Sequence, residues 1–215
     1  MSENVTHILR RTRNAARNTL YRASRSPRRW HSRREEVLDL LPRQSVGAEL
    51  GVYRGEFSRH IMQIVEPREL HLVDVWWLEY GECYPNWGAY SNHGNLKTRD
   101  AYDEVVKIVE QYGGGRKVLV HVGYDLEYLG RLPDNHLDWA YLDTSHEYEH
   151  SKLELEMLRA KIKRGGLITG DDWHEDPEHI HYGLARAVKE FCEENRWEIV
   201  LLSNWSQWAI RRAKD

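Results

Sequence analysis

From Ser45 onwards, short apolar runs alternate with stretches of helical periodicity, and this alternation constrains the fold more than any other feature of the chain. We predict seven strands, at residues 46–50, 70–75, 117–122, 137–142, 167–170, 197–202 and 207–211. Helices are predicted between them, at residues 56–65, 98–112, 125–131, 149–163 and 182–195. Strands that alternate with helices indicate an α/β protein with a largely parallel sheet.

The connections between the predicted strands set their directions. Helix-length crossovers separate the first five strands, which makes them parallel neighbours in a sheet covered on both faces. Only residues 203–206 separate the last two strands, so these must form an antiparallel hairpin. The predicted fold is therefore a Rossmann-like seven-stranded sheet, with five parallel strands, a C-terminal antiparallel hairpin and helices on both faces. It differs from the six parallel strands of dinucleotide dehydrogenases and resembles class I methyltransferases that use S-adenosylmethionine.

Length and composition exclude several other classes of protein. A chain of 215 residues suits a single domain, with at most an appendage. It contains no apolar run near the roughly 18 residues of a membrane span, and no apolar core follows its Arg-rich start as in a secretory signal. The two cysteines, Cys83 and Cys192, form neither a disulfide framework nor a metal-binding pair, so we expect a cytoplasmic protein.

Charge is distributed unevenly along the chain. Residues 1–34 contain ten Arg and a single acid, Glu3, so this segment carries +9 while the whole chain carries −3. We predict a largely helical basic arm at 1–34, a second short helix near 33–41, and a catalytic domain at 35–215. The arm suits an anionic partner such as nucleic acid or a membrane surface, or else it packs on the acidic body or on a second subunit of a homo-oligomer.

The loop after the first strand is the first candidate for cofactor binding. Ligands of open parallel sheets lie beyond the carboxyl ends of the strands. Gly51 lets the backbone turn and approach a ligand closely, and Gly55 begins the following helix. Glu49 could pair with a cationic amine, and Tyr53 and Ser58 complete the candidate set in this loop.

Acids after the next two strands extend this candidate site. Asp74 lies 23 residues after Gly51, where a carboxylate accepts hydrogen bonds from ribose hydroxyls in nucleoside-binding sheets, and Val75 and Trp76 follow it. After the third strand, Tyr124 could stack on an adenine and Asp125 could accept a hydrogen bond from its amine. Asp125 is equally suited to cap the helix that follows.

Three carboxylates follow strands four and five. Because neighbouring parallel strands bring their ends together, Asp143, Asp171 and Asp172 should converge in one cleft. Carboxylates this close repel one another unless they are protonated or bridged by a cation, and Mg²⁺ prefers such oxygen ligands. Alternatively, Asp143 caps a helix and the Asp171–Asp172 pair lies in a solvated loop.

These segments resemble the methyltransferase family called type 24, over about residues 44–212. Glu49, Gly51, Gly55 and Asp74 match its cofactor motif, whereas Val75 departs from a common Pro. The chain is also similar to metal-dependent O-methyltransferases of macrolide sugars, aminocoumarin sugars and catechols. That resemblance implies S-adenosylmethionine as cofactor, and Mg²⁺ held by a strand-four Asp and an acidic pair 28 positions later, as in the spacing from Asp143 to Asp171.

The resemblance also implies a mechanism. Methyl transfer needs alignment and an ionised oxygen nucleophile, and Asp143 or His146 could accept the proton. The aromatic segment at 76–99 could be a lid over an aryl or sugar acceptor, or could pack on the core. We expect His174, His179 and His181 to complete the acceptor pocket.

The leading hypothesis is Mg²⁺-assisted O-methylation of a small-molecule hydroxyl. The alternatives are methylation of nucleic acid, supported by the Arg-rich arm alone, a metal-dependent hydrolase that uses Asp143, His146, Asp172 and His174, and a non-catalytic nucleoside-binding or assembly module.

Overall fold

Seven strands form one mixed sheet in the computed structural model, which describes residues 35–213. They are β1 (Val46–Leu50), β2 (Glu69–Asp74), β3 (Lys117–Val122), β4 (Leu137–Leu142), β5 (Ile162–Gly170), β6 (Trp197–Leu202) and β7 (Trp208–Arg212). Their order across the sheet is β3-β2-β1-β4-β5-β7-β6. The first five strands pair in parallel, and β7 lies antiparallel between β5 and β6. The predicted architecture of five parallel strands and a terminal hairpin is confirmed.

Five helices cover the sheet on both faces. They are α1 (Glu56–Ile64), α2 (Thr98–Tyr112), α3 (Asp125–Arg131), α4 (Tyr148–Lys161) and α5 (Tyr182–Asn195). Because side chains alternate across a strand, β4 contributes to two separate cores. Residues of α1 and α2 pack with Trp139 and Tyr141 of β4. Residues of α3, α4 and α5 pack with Ala140 and Leu142, which point to the opposite face.

Some predicted boundaries differ from those of the structure. Strand β5 begins at Ile162, directly after α4, and not at residue 167. Ile162 is fully buried and pairs with Leu137, so extended pairing replaces the predicted end of the helix. The short helix predicted at 33–41 is a single 3₁₀ turn at Val37–Asp39 within the described part of this segment. Pro42 follows closely and disfavours a helical conformation at Leu41.

Two further predictions concern segments outside the sheet. The Arg-rich arm at 1–34 lies outside the described residues. The aromatic segment at 76–99 is more regular than predicted, since it contains a helical turn at Trp77–Tyr80 and a 3₁₀ segment at Gly88–Gly94. Within residues 35–213, every helix is too short or too polar to cross a membrane.

Candidate active site

Backbone hydrogen bonds align the ends of four parallel strands at one edge of the sheet. The Gly51 N–H donates to the Val73 carbonyl at 2.9 Å, the Asp143 N–H to Leu50 at 2.8 Å, and the Asp171 N–H to Leu142 at 3.1 Å. The loops after β1, β2, β4 and β5 therefore start side by side. All the predicted catalytic and metal-binding residues follow two of these strands.

Gly51 lies in close contact with the loop after β4. Its φ is +87°, and a Cβ built on it would lie 1.9 Å from the carbonyl oxygen of Asp143. Only glycine fits this position, because any side chain would collide with the backbone that leads into the catalytic loop. The predicted cofactor loop and the predicted catalytic strand end are thus in direct contact.

Asp74 joins the loop after β1 to the loop after β2. Its Oδ2 accepts the backbone N–H groups of Val52 and Tyr53 at 2.8 and 2.6 Å. Its Oδ1 accepts those of Val75 at 2.6 Å and Trp76 at 3.3 Å. The carboxylate predicted to bind ribose therefore also organises the backbone of the predicted cofactor site.

The buried side chain of Trp76 supports the loop after β1. Its indole is fully buried, lies edge-on to Tyr102, and donates its N–H to the Tyr53 carbonyl at 2.9 Å. Trp76 has a φ of +37°, which is unusual for a bulky residue and is found mainly where surrounding structure imposes it. The structure thus shows the side chain of this predicted cofactor residue packed in the core.

Glu49 and Ser58 form a buried pair beneath the loop. Ser58 Oγ donates to Glu49 Oε2 at 2.5 Å, and the two residues are 0–1% exposed. Gly55 has a φ of +76° and precedes α1, as predicted for a loop that turns into a helix. The four predicted residues follow one another from the end of β1, through the loop, into the first turn of α1: Glu49, Gly51, Gly55 and Ser58.

Tyr124 and Asp125 follow β3 at the far side of this edge. Tyr124 is 41% exposed, and its hydroxyl donates to Glu79 at 3.0 Å, which raises the pKa of the phenol. Asp125 is the first residue of α3, and its Oδ2 lies 2.6 Å from Nε2 of His150. Burial would raise the pKa of Asp125, but the hydrogen bonds of His150 and Glu154 outweigh it and lower the pKa.

Sequence reasoning missed His150 and Glu154 on α4. Glu154 is fully buried, its Oε1 accepts a hydrogen bond from Thr144 at 3.0 Å, and burial together with the nearby Asp125 raises its pKa well above the ordinary range. Through these hydrogen bonds, His150 and Glu154 of α4 connect the start of α3, after β3, to the loop after β4. The sequence did contain a signal for Glu154, since it lies on the buried face of α4 together with Ser151, Leu155 and Leu158.

The loops after β4 and β5 bring histidines together with carboxylates. His146 is 5% exposed and lies between two acids, with Nε2 at 3.7 Å from Asp143 Oδ1 and Nδ1 at 3.6 Å from Asp172 Oδ2. His181 Nε2 lies 3.8 Å from the same Asp172 oxygen. The structure therefore brings Asp143, His146 and Asp172 into contact, as expected from neighbouring strand ends.

The predicted Mg²⁺ ligands do not gather as a set. Among residues 35–213, the group of potential metal ligands that contains Asp172 comprises His146, Asp172 and His181, and it includes neither Asp143 nor Asp171. Asp171 is 4% exposed and its carbonyl accepts the indole N–H of Trp208. Mg²⁺ requires mainly oxygen ligands, so this donor set does not fit the predicted ion.

The aromatic segment after β2 lies beside the cofactor loop. Tyr53 stacks on Tyr90 with ring centroids 4.3 Å apart, and its hydroxyl donates to the Tyr90 carbonyl at 2.5 Å. Tyr84 is buried and meets the Tyr53 ring edge-on, whereas Trp87 and Tyr90 are 42% and 59% exposed. The segment packs on the core through one set of rings and presents others to solvent.

Comparison with known proteins gives both a family and a fold. A family model described as a methyltransferase domain, of type 24, matches residues 48–173. No curated protein sequence matches the chain. A solved structure from Corynebacterium glutamicum superposes with a TM-score of 0.62 at 10% identity, covering 96% of this chain and 91% of its own.

Two solved methyltransferases also share the fold. A SAM-dependent methyltransferase of Aquifex aeolicus has a TM-score of 0.53 at 16% identity and covers 82% of this chain and 86% of its own. The SAH-bound methyltransferase PaMTH1 of Podospora anserina has a TM-score of 0.53 at 15% identity, with coverages of 80% and 72%.

Proposed function

Because the chain belongs to the type 24 methyltransferase domain family and is a class I, S-adenosylmethionine-dependent methyltransferase, we propose that it methylates a hydroxyl group of a small molecule, a sugar or an aryl compound. One observation carries this proposal: the contact between Asp143, His146 and Asp172 at the ends of β4 and β5, next to the glycine loop of β1. A hydroxyl nucleophile needs a base at this point, whereas an amine does not need one to the same degree.

The proposed cofactor residues follow the strand ends in order. Gly51 and Tyr53 lie in the turn that receives the methionine part of S-adenosylmethionine, and the buried Glu49 supports this turn. Asp74 faces the ribose. Tyr124 and Asp125 lie at the adenine end. The support for this assignment is the continuous set of backbone hydrogen bonds that Asp74 makes to both loops.

The chemistry is an in-line displacement. The acceptor oxygen forms a bond to the methyl carbon while the bond from that carbon to the sulfonium breaks, leaving S-adenosylhomocysteine, and the hydroxyl proton passes to the base. Proximity and orientation supply most of the acceleration, and a positioned base contributes about 10²- to 10⁴-fold. Asp143 and His146 are the two candidate bases, and their nearest charged atoms, Oδ1 and Nε2, lie 3.7 Å apart.

No step of this mechanism passes through Mg²⁺, since Asp143, Asp171 and Asp172 do not form an oxygen-ligand set. The exposed rings of Trp87 and Tyr90 favour an aryl or sugar acceptor, because such faces stack on flat or apolar surfaces.

Calorimetry with S-adenosylmethionine and turnover on hydroxyl-bearing acceptors test the proposal. We expect His146→Asn to bind the cofactor with wild-type affinity while its turnover falls about 10²- to 10⁴-fold. Asp134→Asn, at an exposed site paired with Lys161, is the control and should leave both unchanged. Absence of cofactor binding in the wild type would overturn the proposal, as would turnover confined to amine acceptors or nucleic acid.

A further inference from the structure

Two imidazoles and one carboxylate, all of them potential metal ligands, lie close together in the cleft. His146 Nδ1 lies 3.6 Å and His181 Nε2 lies 3.8 Å from Asp172 Oδ2, and each of the three residues has a potential ligand atom within 4.8 Å of those of the other two. Hydrogen bonds between nitrogen and oxygen have lengths of about 2.7–3.2 Å. Both separations from the Asp172 oxygen are longer than this range.

These separations match those of ligands around one ion. Zinc-to-nitrogen and zinc-to-oxygen bonds of about 2.0–2.2 Å in a tetrahedron place the ligand atoms roughly 3.4 Å apart. The observed 3.6 and 3.8 Å lie slightly above this value. Both histidine nitrogens therefore already lie near the distance from the Asp172 oxygen that a shared ion requires.

The backbone holds two of these residues in an uncommon conformation. His146 and Asp172 both have a φ of +58°, in the left-handed region that non-glycine residues rarely adopt. They follow two adjacent strands, β4 and β5. Such conformations persist where the surrounding structure imposes them, and they cluster at functional sites.

A further carboxylate is placed to orient one of the imidazoles. Asp143 Oδ1 lies 3.7 Å from Nε2 of His146, on the opposite side of the ring from Asp172. Histidines that bind a metal through one nitrogen usually direct the other N–H at a carboxylate or carbonyl. With Nδ1 bound to an ion, the Nε2 proton of His146 would point at Asp143.

The donor set selects the class of ion. Two imidazoles and one carboxylate are typical ligands of divalent transition metals, whereas Mg²⁺ takes oxygen ligands. Three protein ligands also leave coordination positions open, as in catalytic zinc sites and ferrous sites.

We propose that His146, Asp172 and His181 form a two-histidine, one-carboxylate site for a divalent transition-metal ion, with its open positions available to the acceptor oxygen. The role of the ion in orienting the acceptor rests on the proposed methyltransferase function, whereas the binding of the ion does not. In the loaded protein His146 is a ligand, which leaves Asp143 as the base.

Direct metal binding tests the site on the full chain, freed of bound ions by dialysis against a chelator. Titration with Co²⁺ should give one equivalent of binding and visible absorption bands that report nitrogen and oxygen coordination, and Zn²⁺ should abolish these bands by competition. A hundredfold excess of Mg²⁺ over Co²⁺ should leave these absorption bands unchanged. Lack of stoichiometric Co²⁺ binding, or displacement by Mg²⁺, would overturn the proposal.

Variants identify the ligands. His181→Ala, at a half-buried position that should tolerate truncation, is expected to weaken Co²⁺ binding at least tenfold. His93→Ala is the control, since His93 is exposed and is not in the ligand set. Equal affinities in these two variants would exclude His181 as a ligand. Cofactor binding, measured separately by calorimetry, distinguishes failure of this site from failure of the proposed function.

Discussion

Replacing Gly51 with alanine should disrupt the cofactor loop through a single collision. The new Cβ would lie 1.9 Å from the Asp143 carbonyl oxygen and 2.5 Å from its carbonyl carbon, whereas real Cβ contacts essentially never fall below 3.0 Å. The ends of β1 and β4 must therefore separate by about 1 Å. The hydrogen bond from the Asp143 N–H to Leu50, 2.8 Å long, lies directly beside the collision and would be stretched.

Two terms add to the loss of stability. A left-handed backbone costs an L-residue about 1–2 kcal/mol, and overpacking in a well-packed region costs about 1–3 kcal/mol. Gly51→Ala should therefore lower the free energy of unfolding by roughly 2–5 kcal/mol. Gly165→Ala isolates the first term, because Gly165 has a φ of +85° and its added Cβ would meet nothing within 4 Å. That variant should lose only about 1–2 kcal/mol.

Urea denaturation measures both variants, and calorimetry measures their affinity for S-adenosylmethionine. We expect at least a tenfold loss of affinity in Gly51→Ala, about 1.4 kcal/mol, and unchanged affinity in Gly165→Ala. Equal destabilisation of the two variants would refute the steric argument. Undiminished cofactor affinity in Gly51→Ala would refute the assignment of this loop to the cofactor.

Two further predictions concern groups away from the chemistry. Burial lowers the pKa of His71 to about 4 from an ordinary 6.5. As the pH falls below 6.5, the imidazole therefore binds a proton in the unfolded chain before it does so in the folded protein. The free energy of unfolding should fall by up to about 3 kcal/mol between pH 6.5 and pH 4. Urea denaturation at pH 7 and pH 4.5 should show this loss in the wild type, and His71→Gln should reduce it; an identical acid loss in both would contradict the assignment. Trp76→Phe removes the indole N–H from the Tyr53 carbonyl and should cost about 1–3 kcal/mol of stability. Trp87→Phe, at a residue that is 42% exposed, should change the stability by no more than about 0.5 kcal/mol in the same assay.

Residue patterns predicted the sheet well because strand direction depends on the lengths of connections. The four residues 203–206 leave no room for a crossover, so the hairpin followed from the chain itself. The position of β7 between β5 and β6 did not follow, since a hairpin can pair with β5 through either of its strands. Packing of the fully buried Trp208 and Ile210 settles this choice in three dimensions.

The sequence predicted the positions of those candidate site residues that directly follow a strand. Asp143 and Asp172 meet at His146 because β4 and β5 are neighbours. The position of His181 depends on the path of the loop from residue 171 to α5, which no short-range pattern specifies. Asp74 was placed correctly at the end of β2, but its hydrogen bonds to Val52 and Tyr53 depend on the shape of the glycine loop.

The central position of β7 has a consequence for how the chain is made. Residues 208–212 leave the ribosome after both strands that they separate, so β5 keeps an unpaired edge until synthesis has passed β7. Trp208 then donates its indole N–H to the Asp171 carbonyl, and Trp173 donates its backbone N–H to Ser206. The segment that carries Asp172 acquires these anchors only at that moment. A chain interrupted before β7 would therefore expose an unpaired sheet edge, which is a site of aggregation, and its loop after β5 would lack both of these hydrogen bonds.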